Sequence, residues 1–340
     1  MKQAIIICIS ITFSLSVLAQ NKLEIYSVAF YNIENLFDTE NDPLIDDEEF
    51  LPNGVNQWTD EKYQMKLKNM ASVISLLGKE YCPGGPAAIG VSEIENRRVL
   101  EDLINTGNLA QMGLDIIHYD SPDLRGVDVA LLYNPKLFHV SSSKPYAYVL
   151  PDDPTFKTRD VLLVSGILAG DSFHILVNHW PSRRGSKSSE LREFAATINR
   201  HIADSIYNAD PSAKIVIMGD LNDDPKDPSC RVVLDAKRKQ EDVKMGGLFN
   251  PMWALYDRGI GSLAYRGQWN LFDQIIVSHS LLGEDRSSLK LWKPEIFNRD
   301  FLIQKEGADK GSPFRTFSGG RFINGYSDHF PVLIYMYKEL

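Results

Sequence analysis

Ile217-Met218-Gly219-Asp220-Leu221-Asn222-Asp223-Asp224-Pro225 is the stretch on which the reading of the chain turns. An apolar, β-type run from Lys214 to Met218 delivers an acid and an amide two positions apart, then an acidic turn closed by proline. A carboxylate buried without a partner costs several kcal/mol, so an acid at the end of such a run implies a shared cation or a hydrogen-bond network. The same arrangement recurs four times. Phe30-Tyr31-Asn32-Ile33-Glu34-Asn35 places Asn32 and Glu34 on one side of an extended chain. Gly90-Val91-Ser92-Glu93-Ile94-Glu95-Asn96 ends a strand on Glu93. Leu271-Phe272-Asp273-Gln274-Ile275-Ile276 carries an acid within an apolar strand, and Tyr326-Ser327-Asp328-His329-Phe330-Pro331 sets an acid and an imidazole before the last one.

Working outward, β-type runs stand at Ile25–Tyr31, Ala87–Ser92, Val127–Tyr133, Val161–Leu168, His174–Val177, Lys214–Met218, Phe272–Val277 and Val332–Tyr337. Between them, Tyr63, Leu67, Met70, Ala71, Ile74 and Leu77 share one face of a 3.6-residue repeat. Leu191, Phe194, Ala195, Ile198 and Ile202 do the same. This is an α/β pattern. With 340 residues, 44% hydrophobic and 24% charged, the chain has globular composition. No linker or long repeat divides it, so residues 21–340 read as one catalytic domain. Asp38 to Asp60 holds eight acidic residues and no basic one. Pro43 stands where an EF-hand loop needs glycine, so a solvated loop ahead of the first helix is expected.

Together the five segments resemble the endonuclease/exonuclease/phosphatase superfamily, which includes DNase I-like nucleases, abasic-site endonucleases, inositol polyphosphate phosphatases and bacterial sphingomyelinases. Gly219-Asp220-Leu221-Asn222 and Ser327-Asp328-His329 are the most specific parts of the likeness, which extends from Asn32 to His329. The resemblance implies a four-layer α/β sandwich, in which two central mixed β-sheets pack face to face with helices outside and the site at one edge. It also implies phosphoester hydrolysis with a divalent cation, Mg²⁺ or alternatively Mn²⁺.

Carried over by position, the likeness implies that Glu93 is the principal metal ligand, with Glu34 and Asp328 as supporting acids. Asp220 would orient or deprotonate the attacking water, Asn222 would hold a phosphate oxygen, and Asn32 would bind phosphate or position the site. His329 would contact the phosphate while hydrogen-bonded to Asp273. His179, in Val177-Asn178-His179-Trp180-Pro181-Ser182-Arg183-Arg184-Gly185, would face the phosphate from the other side and protonate the leaving oxygen. That histidine tilts the likeness away from abasic-site endonucleases. The chemistry is consistent: carboxylate and amide oxygens are the ligands Mg²⁺ prefers, and a phosphodiester transition state builds charge that a cation, an imidazolium and an amide stabilise. Arg183, Arg184 and Arg125 are candidate phosphate contacts, because guanidinium groups bind phosphate in bidentate fashion. Asp128 is a candidate orienter of His179. Arg159, Arg266 and Trp269 are further rim candidates.

Met1-Lys2-Gln3, an apolar run from Ala4 to Val17 and Val17-Leu18-Ala19 form an export-signal pattern with cleavage after Ala19. The fourteen apolar residues span about 21 Å as a helix, short of the roughly 30 Å hydrocarbon core, so stable membrane insertion is not expected. The mature protein is therefore expected in the periplasm or outside the cell. Cys82 and Cys230 are permitted, but not indicated, to form a disulfide there.

The formal charge is −9, which argues against an extended basic track for nucleic acid. The favoured partner is a small or terminal phosphorylated group. A DNase-like nuclease acting on DNA or RNA is the nearest rival. A sphingomyelinase would need an exposed aromatic hairpin, for which Tyr146-Ala147-Tyr148 is the one weak candidate. A binding module that has lost catalysis conflicts with the intact acid, amide and imidazole set. An acyl hydrolase using Ser182 and His179 lacks a Gly-x-Ser-x-Gly elbow.

Overall fold

A computed structural model describes residues 22–185, 188–307 and 309–339. The export signal expected over 1–19 lies outside them. Strands β1 (Leu23–Leu36), β2 (Ala88–Ile94), β3 (Asp115–His118) and β4 (Asp128–Tyr133) join β14 (Lys290–Ile296) and β17 (Val332–Glu339) in a six-stranded sheet ordered β14-β17-β1-β2-β4-β3. A seven-stranded sheet is ordered β5-β6-β7-β8-β13-β10-β9. Its members are β5 (Phe138–Tyr146), β6 (Val161–Leu168), β7 (Asp171–His179), β8 (Lys214–Asp220), β9 (Ala236–Lys237), β10 (Leu248–Phe249) and β13 (Asp273–Ser278). Both sheets are mixed, with β1–β2 and β7–β8 parallel and most other pairs antiparallel. All eight runs identified from the sequence are strands.

Alternation along the strands builds the layers. In the seven-stranded sheet, Val177, Val216, Met218, Ile275 and Val277 face the other sheet within one core. Leu176, Ile215, Ile217 and Ile276 point the opposite way, into a second core under helix α3 (Ser188–Ala209), which contributes Ala195, Ala196, Ile202 and Ala203. Each fully buried aliphatic side chain contributes about 1.5–3 kcal/mol. Helix α1 (Asp60–Ile74) covers the six-stranded sheet through Tyr63, Leu67, Met70 and Ile74. Gly90 marks how closely the sheets meet: a Cβ there would lie 2.8 Å from Met218 Sδ and 3.1 Å from Val177 Cγ1. Two short hairpins, β11–β12 (Leu263–Tyr265, Gln268–Asn270) and β15–β16 (Phe317–Ser318, Arg321–Phe322), stand apart from the sheets. Among the described residues, no helix is long and apolar enough to cross a membrane.

Several local expectations need correction. The acidic segment ahead of α1 is not merely solvated, since Asp38 and Asp47 are buried. Their carboxylates accept the backbone N–H groups of Glu40 and Asp42 and so fold the loop. Tyr148 is buried rather than displayed, and its hydroxyl donates to Leu191 O at 2.7 Å. The disulfide permitted but not indicated by the sequence is not formed, and Cys82 and Cys230 are buried free thiols. Helix α2 (Arg97–Ile104), unforeseen from the sequence, is capped by Asn96, whose side chain accepts from Val99 N at 3.1 Å.

Candidate active site

Parallel strands β1, β2, β7 and β8 all end on the same edge, and the antiparallel strands β13 and β17 begin there. The predicted residues therefore meet. Register places Asn32 opposite Ser92, and His179 and Asp273 each opposite Asp220. Pairing between β1 and β2 slips between Asn32 and Leu36, and that between β2 and β4 slips between Ser92 and Ile94. These bulges put Glu34, Asn35 and Glu93 at φ of 49°, 54° and 60°; Asn222, just beyond β8, sits at 49°. Left-handed backbone is uncommon for residues other than glycine, and here it re-aims two acids and an amide into one site. The simple alternation expected for Asn32 and Glu34 is thus broken, with Glu34 N donating to Asn32 Oδ1 at 3.0 Å. Gly219 permits close approach of β7 and β8, because a Cβ there would meet Asn178 O at 2.3 Å.

Asp220 is the centre. Its Oδ2 accepts from Asn32 Nδ2 at 3.1 Å and lies 3.7 Å from His179 Nε2 and 3.9 Å from His329 Nε2. Its Oδ1 accepts the Asn222 N–H at 3.0 Å. Burial, joined by the Asp273 and Glu93 charges, pushes its carboxyl up to about 7 against the opposing pull of His329. His329 Nδ1 lies 2.7 Å from Asp273 Oδ2. Burial lowers its pKa, but the Asp273, Asp220 and Asp328 carboxylates outweigh that and raise it well above the usual histidine range. His179 goes the other way: burial, then Arg159, Arg125 and His329, drive it well below that range. The two imidazoles flanking this single acid are pushed in opposite directions, His329 toward its charged form and His179 toward its neutral form.

Beside them opens a cavity of about 350 Å³ whose lining includes Glu93, Arg125, Lys157, His179, Arg184 and His329. A second cavity, of about 440 Å³, lies toward the β11–β12 hairpin, with Tyr265, Gln268, Phe272 and Asp328 in its wall. Asn222, Ser182, Arg184 and His329 belong to both.

Other expected residues do not face the phosphate position. Asp128 does not orient His179. It accepts from Ser121 N at 2.7 Å and pairs with His118 Nε2 at 2.9 Å, while His179 Nδ1 is buried without a partner among the described residues. Arg183 is not a free phosphate contact: its Nη2 lies 2.5 Å from Asp227 and 3.3 Å from Asp224, its Nε donates to Asn222 O, and its guanidinium covers the Phe272 ring. Arg159 is a buried strut rather than a rim residue, donating to His179 O at 3.1 Å, Trp180 O at 2.7 Å and Asp123 at 3.0 Å. Arg125 and Arg184 remain exposed at the groove.

Sequence reading missed Lys157, Arg315 and Lys66. Nothing around Lys157 signals a site, and Lys66 hides in an amphipathic helix. Lys66 is buried, with Nζ donating to Thr316 Oγ1 and to Tyr326 O, both at 2.6 Å. Burial lowers its pKa to about 8, although Glu34, Asp328 and Glu93 pull it up. Burial and Asp328 likewise push Glu34 up to about 7, against the pull of Lys66 and Arg315.

The donor set fits a hard divalent cation at Glu93. That carboxylate is 16% exposed on the groove and accepts no hydrogen bond from any described residue; His179 Nε2 lies 3.7 Å away. Mg²⁺ retains several waters and needs only one or two protein carboxylates. Asp220, Asp273 and His329 also offer ligand atoms within 4.8 Å of one another. Within that group His329 Nδ1 is hydrogen-bonded to Asp273 Oδ2 at 2.7 Å, which leaves Nε2 as the nitrogen turned toward Asp220.

Solved structures with the same fold include ANGEL2, described as a 2',3'-cyclic phosphatase. It is 14% identical, with a TM-score of 0.61 over 96% of this chain and 100% of that one. An endonuclease/exonuclease/phosphatase family protein from Bacteroides thetaiotaomicron is 14% identical, with a TM-score of 0.56 over 94% and 100%. TDP2 from D. rerio, solved with a single-strand DNA product, is 14% identical, with a TM-score of 0.54 over 92% and 98%. No curated protein matches the chain in sequence. With the two-sheet fold and the convergent edge in place, the match of residues 27–338 to the family's model settles the classification: the chain belongs to the Endonuclease/Exonuclease/phosphatase family.

Proposed function

We propose that this protein is an exported, divalent-metal-dependent phosphoesterase that hydrolyses phosphodiester bonds. The observation that carries the reading is the convergence of His179 and His329 on Asp220 Oδ2, at 3.7 and 3.9 Å, beside an unclaimed Glu93. Glu93 would hold Mg²⁺ or Mn²⁺, which when bound would offset the negative charge of the phosphate and polarise it. The remaining chemistry belongs to the chain. His329, kept cationic by Asp273, hydrogen-bonds a nonbridging oxygen and stabilises the charge that develops there. Asp220, with its raised pKa, accepts a proton from the attacking water. His179 Nε2, on the other side of Asp220, is placed to hydrogen-bond the leaving oxygen, which takes its proton from solvent water. Arg184, Arg125 and Lys157 supply positive charge along one side of the groove.

The preferred substrate is a small or terminal phosphodiester, because the exposed cations lining the groove are Arg125, Lys157 and Arg184 on a chain of formal charge −9, rather than a long basic track. A second reading, a nuclease acting on a single strand of DNA or RNA, is supported by cavities on both sides of His329 and by the DNA product held by the D. rerio neighbour. The experiment is a panel of plasmid DNA, single-stranded DNA, RNA, sphingomyelin, inositol phosphates and simple diesters, each with and without Mg²⁺. Turnover of small diesters over polymers supports the first reading, and the reverse order supports the second. No turnover anywhere, with no ion bound, identifies a silent binding module. Export is tested by N-terminal sequencing of the protein recovered from outside the cytoplasm, where a start just after Ala19 is expected.

A further inference from the structure

Three acids stand at the candidate metal position, and the structure treats them unequally. Glu93 is unclaimed. Glu34 has both oxygens engaged: Oε1 accepts Arg315 Nε at 3.1 Å and lies 3.0 Å from Nη2, while Oε2 accepts the Thr316 N–H at 2.7 Å. The same Arg315 Nη2 lies 3.0 Å from Asp328 Oδ2, so one guanidinium bridges two carboxylates. Lys66 fixes that bridge from behind. Its two 2.6 Å bonds tie the chain at Thr316 to the chain at Tyr326, one residue beyond Arg315 and two before Asp328.

We propose that Arg315 is a resident cation filling the place a second divalent ion would need. The protein then loads a single ion, on Glu93, and Glu34 is the anchor of Arg315 rather than a metal ligand. This inference rests on the metal-dependent reading above. A planar guanidinium matches carboxylate geometry, is always charged and is weakly hydrated, so it can stay between the two acids permanently, here half-buried. A dication between Glu34 and Asp328 would have to break three charge-assisted contacts and then lie against the displaced positive charge. Arg315 thus keeps both acids paired whether or not metal is present, and only Glu93 responds to the metal concentration.

The test is Mn²⁺ binding to the mature chain, counted by calorimetry and by electron paramagnetic resonance of free Mn²⁺. Wild type is expected to bind one ion. Arg315→Ala is expected to bind two, and Arg315→Ala combined with Glu34→Gln to return to one. Glu93→Gln should weaken the wild-type ion at least about tenfold, a scale that loss of even an outer-shell partner can reach, whereas Glu34→Gln alone should leave it within about threefold. Two ions on wild type overturn the proposal. So does one ion on a folded Arg315→Ala variant, or tenfold weaker binding in Glu34→Gln. If Arg315→Ala does not fold, the wild-type count and the Glu34→Gln affinity decide alone. No bound ion on wild type overturns the metal-dependent reading itself, an outcome distinct from the others.

Discussion

His329 Nδ1 lies 2.7 Å from Asp273 Oδ2, joining the segment before β17 to the first residue of β13. This contact fixes the ring so that Nε2 turns toward Asp220, and it favours the imidazolium. Residues that act as a unit lose little more when both are removed than when one is. Asp273→Asn and His329→Ala are each expected to lower kcat by at least about 10²-fold, with the double variant within about threefold of the worse single one. Steady-state kinetics on a simple diester would measure this. Multiplicative losses would show that the two residues act separately.

The groove cations should act on binding. Lys157→Ala and Arg184→Ala are expected to raise KM several-fold while changing kcat by less than about twofold, because an exposed charge that only holds substrate contributes equally to ground and transition states. Their effect should shrink as salt rises. A loss of kcat at unchanged KM would place the affected residue on the reacting group instead.

Arg159 supports the backbone carbonyls of His179 and Trp180 from a buried position. Breaking a buried ion pair by removing one partner typically costs about 3–5 kcal/mol, because the other charge is left unpaired. Arg159→Met is expected to destabilise on that scale in urea unfolding, and Asp123→Asn in the same background to recover part of the loss. A change below about 1 kcal/mol would show that Asp123 is adequately solvated without Arg159.

Glu95 provides a pH signature of the fold. It is buried, and burial, with Asp38, Asp47 and Asp42 around it, pushes its carboxyl up to about 8. An unfolded glutamate titrates near about 4.3. Between those values the folded chain retains a proton that the unfolded chain has lost, so this group's contribution is complete below about 4.3 and is lost as pH rises through about 8. In EDTA, Glu95→Gln should match wild type near the lower limit and become progressively the more stable protein toward pH 8. A stability difference that does not change with pH would contradict the assignment.

What was legible in the sequence followed from strand periodicity. Apolar runs ending in Asn32, Glu93, His179 and Asp220 placed these side chains correctly at one sheet edge, because β geometry turns chain position into spatial position. Bulges were not legible. Nothing in Asn32-Ile33-Glu34 announces a left-handed residue, so the partner of Glu34 was missed. Long-range cation pairing was equally hidden: Arg315 is 281 residues from Glu34, and Arg183, which looks like a phosphate contact beside Arg184, is drawn instead to the aspartates of the neighbouring loop. Asp128 failed as an orienter of His179 because its two oxygens are taken by His118 and Ser121.

The most direct test of the central claim is hydrolysis of a bis-aryl phosphate by purified protein, first stripped with EDTA and then supplied with Mg²⁺, alongside Asp220→Asn. Activity that disappears on chelation, returns with Mg²⁺ and falls at least about 10²-fold in the variant is the predicted result. Turnover that survives chelation, or that is unchanged in Asp220→Asn, would contradict the account.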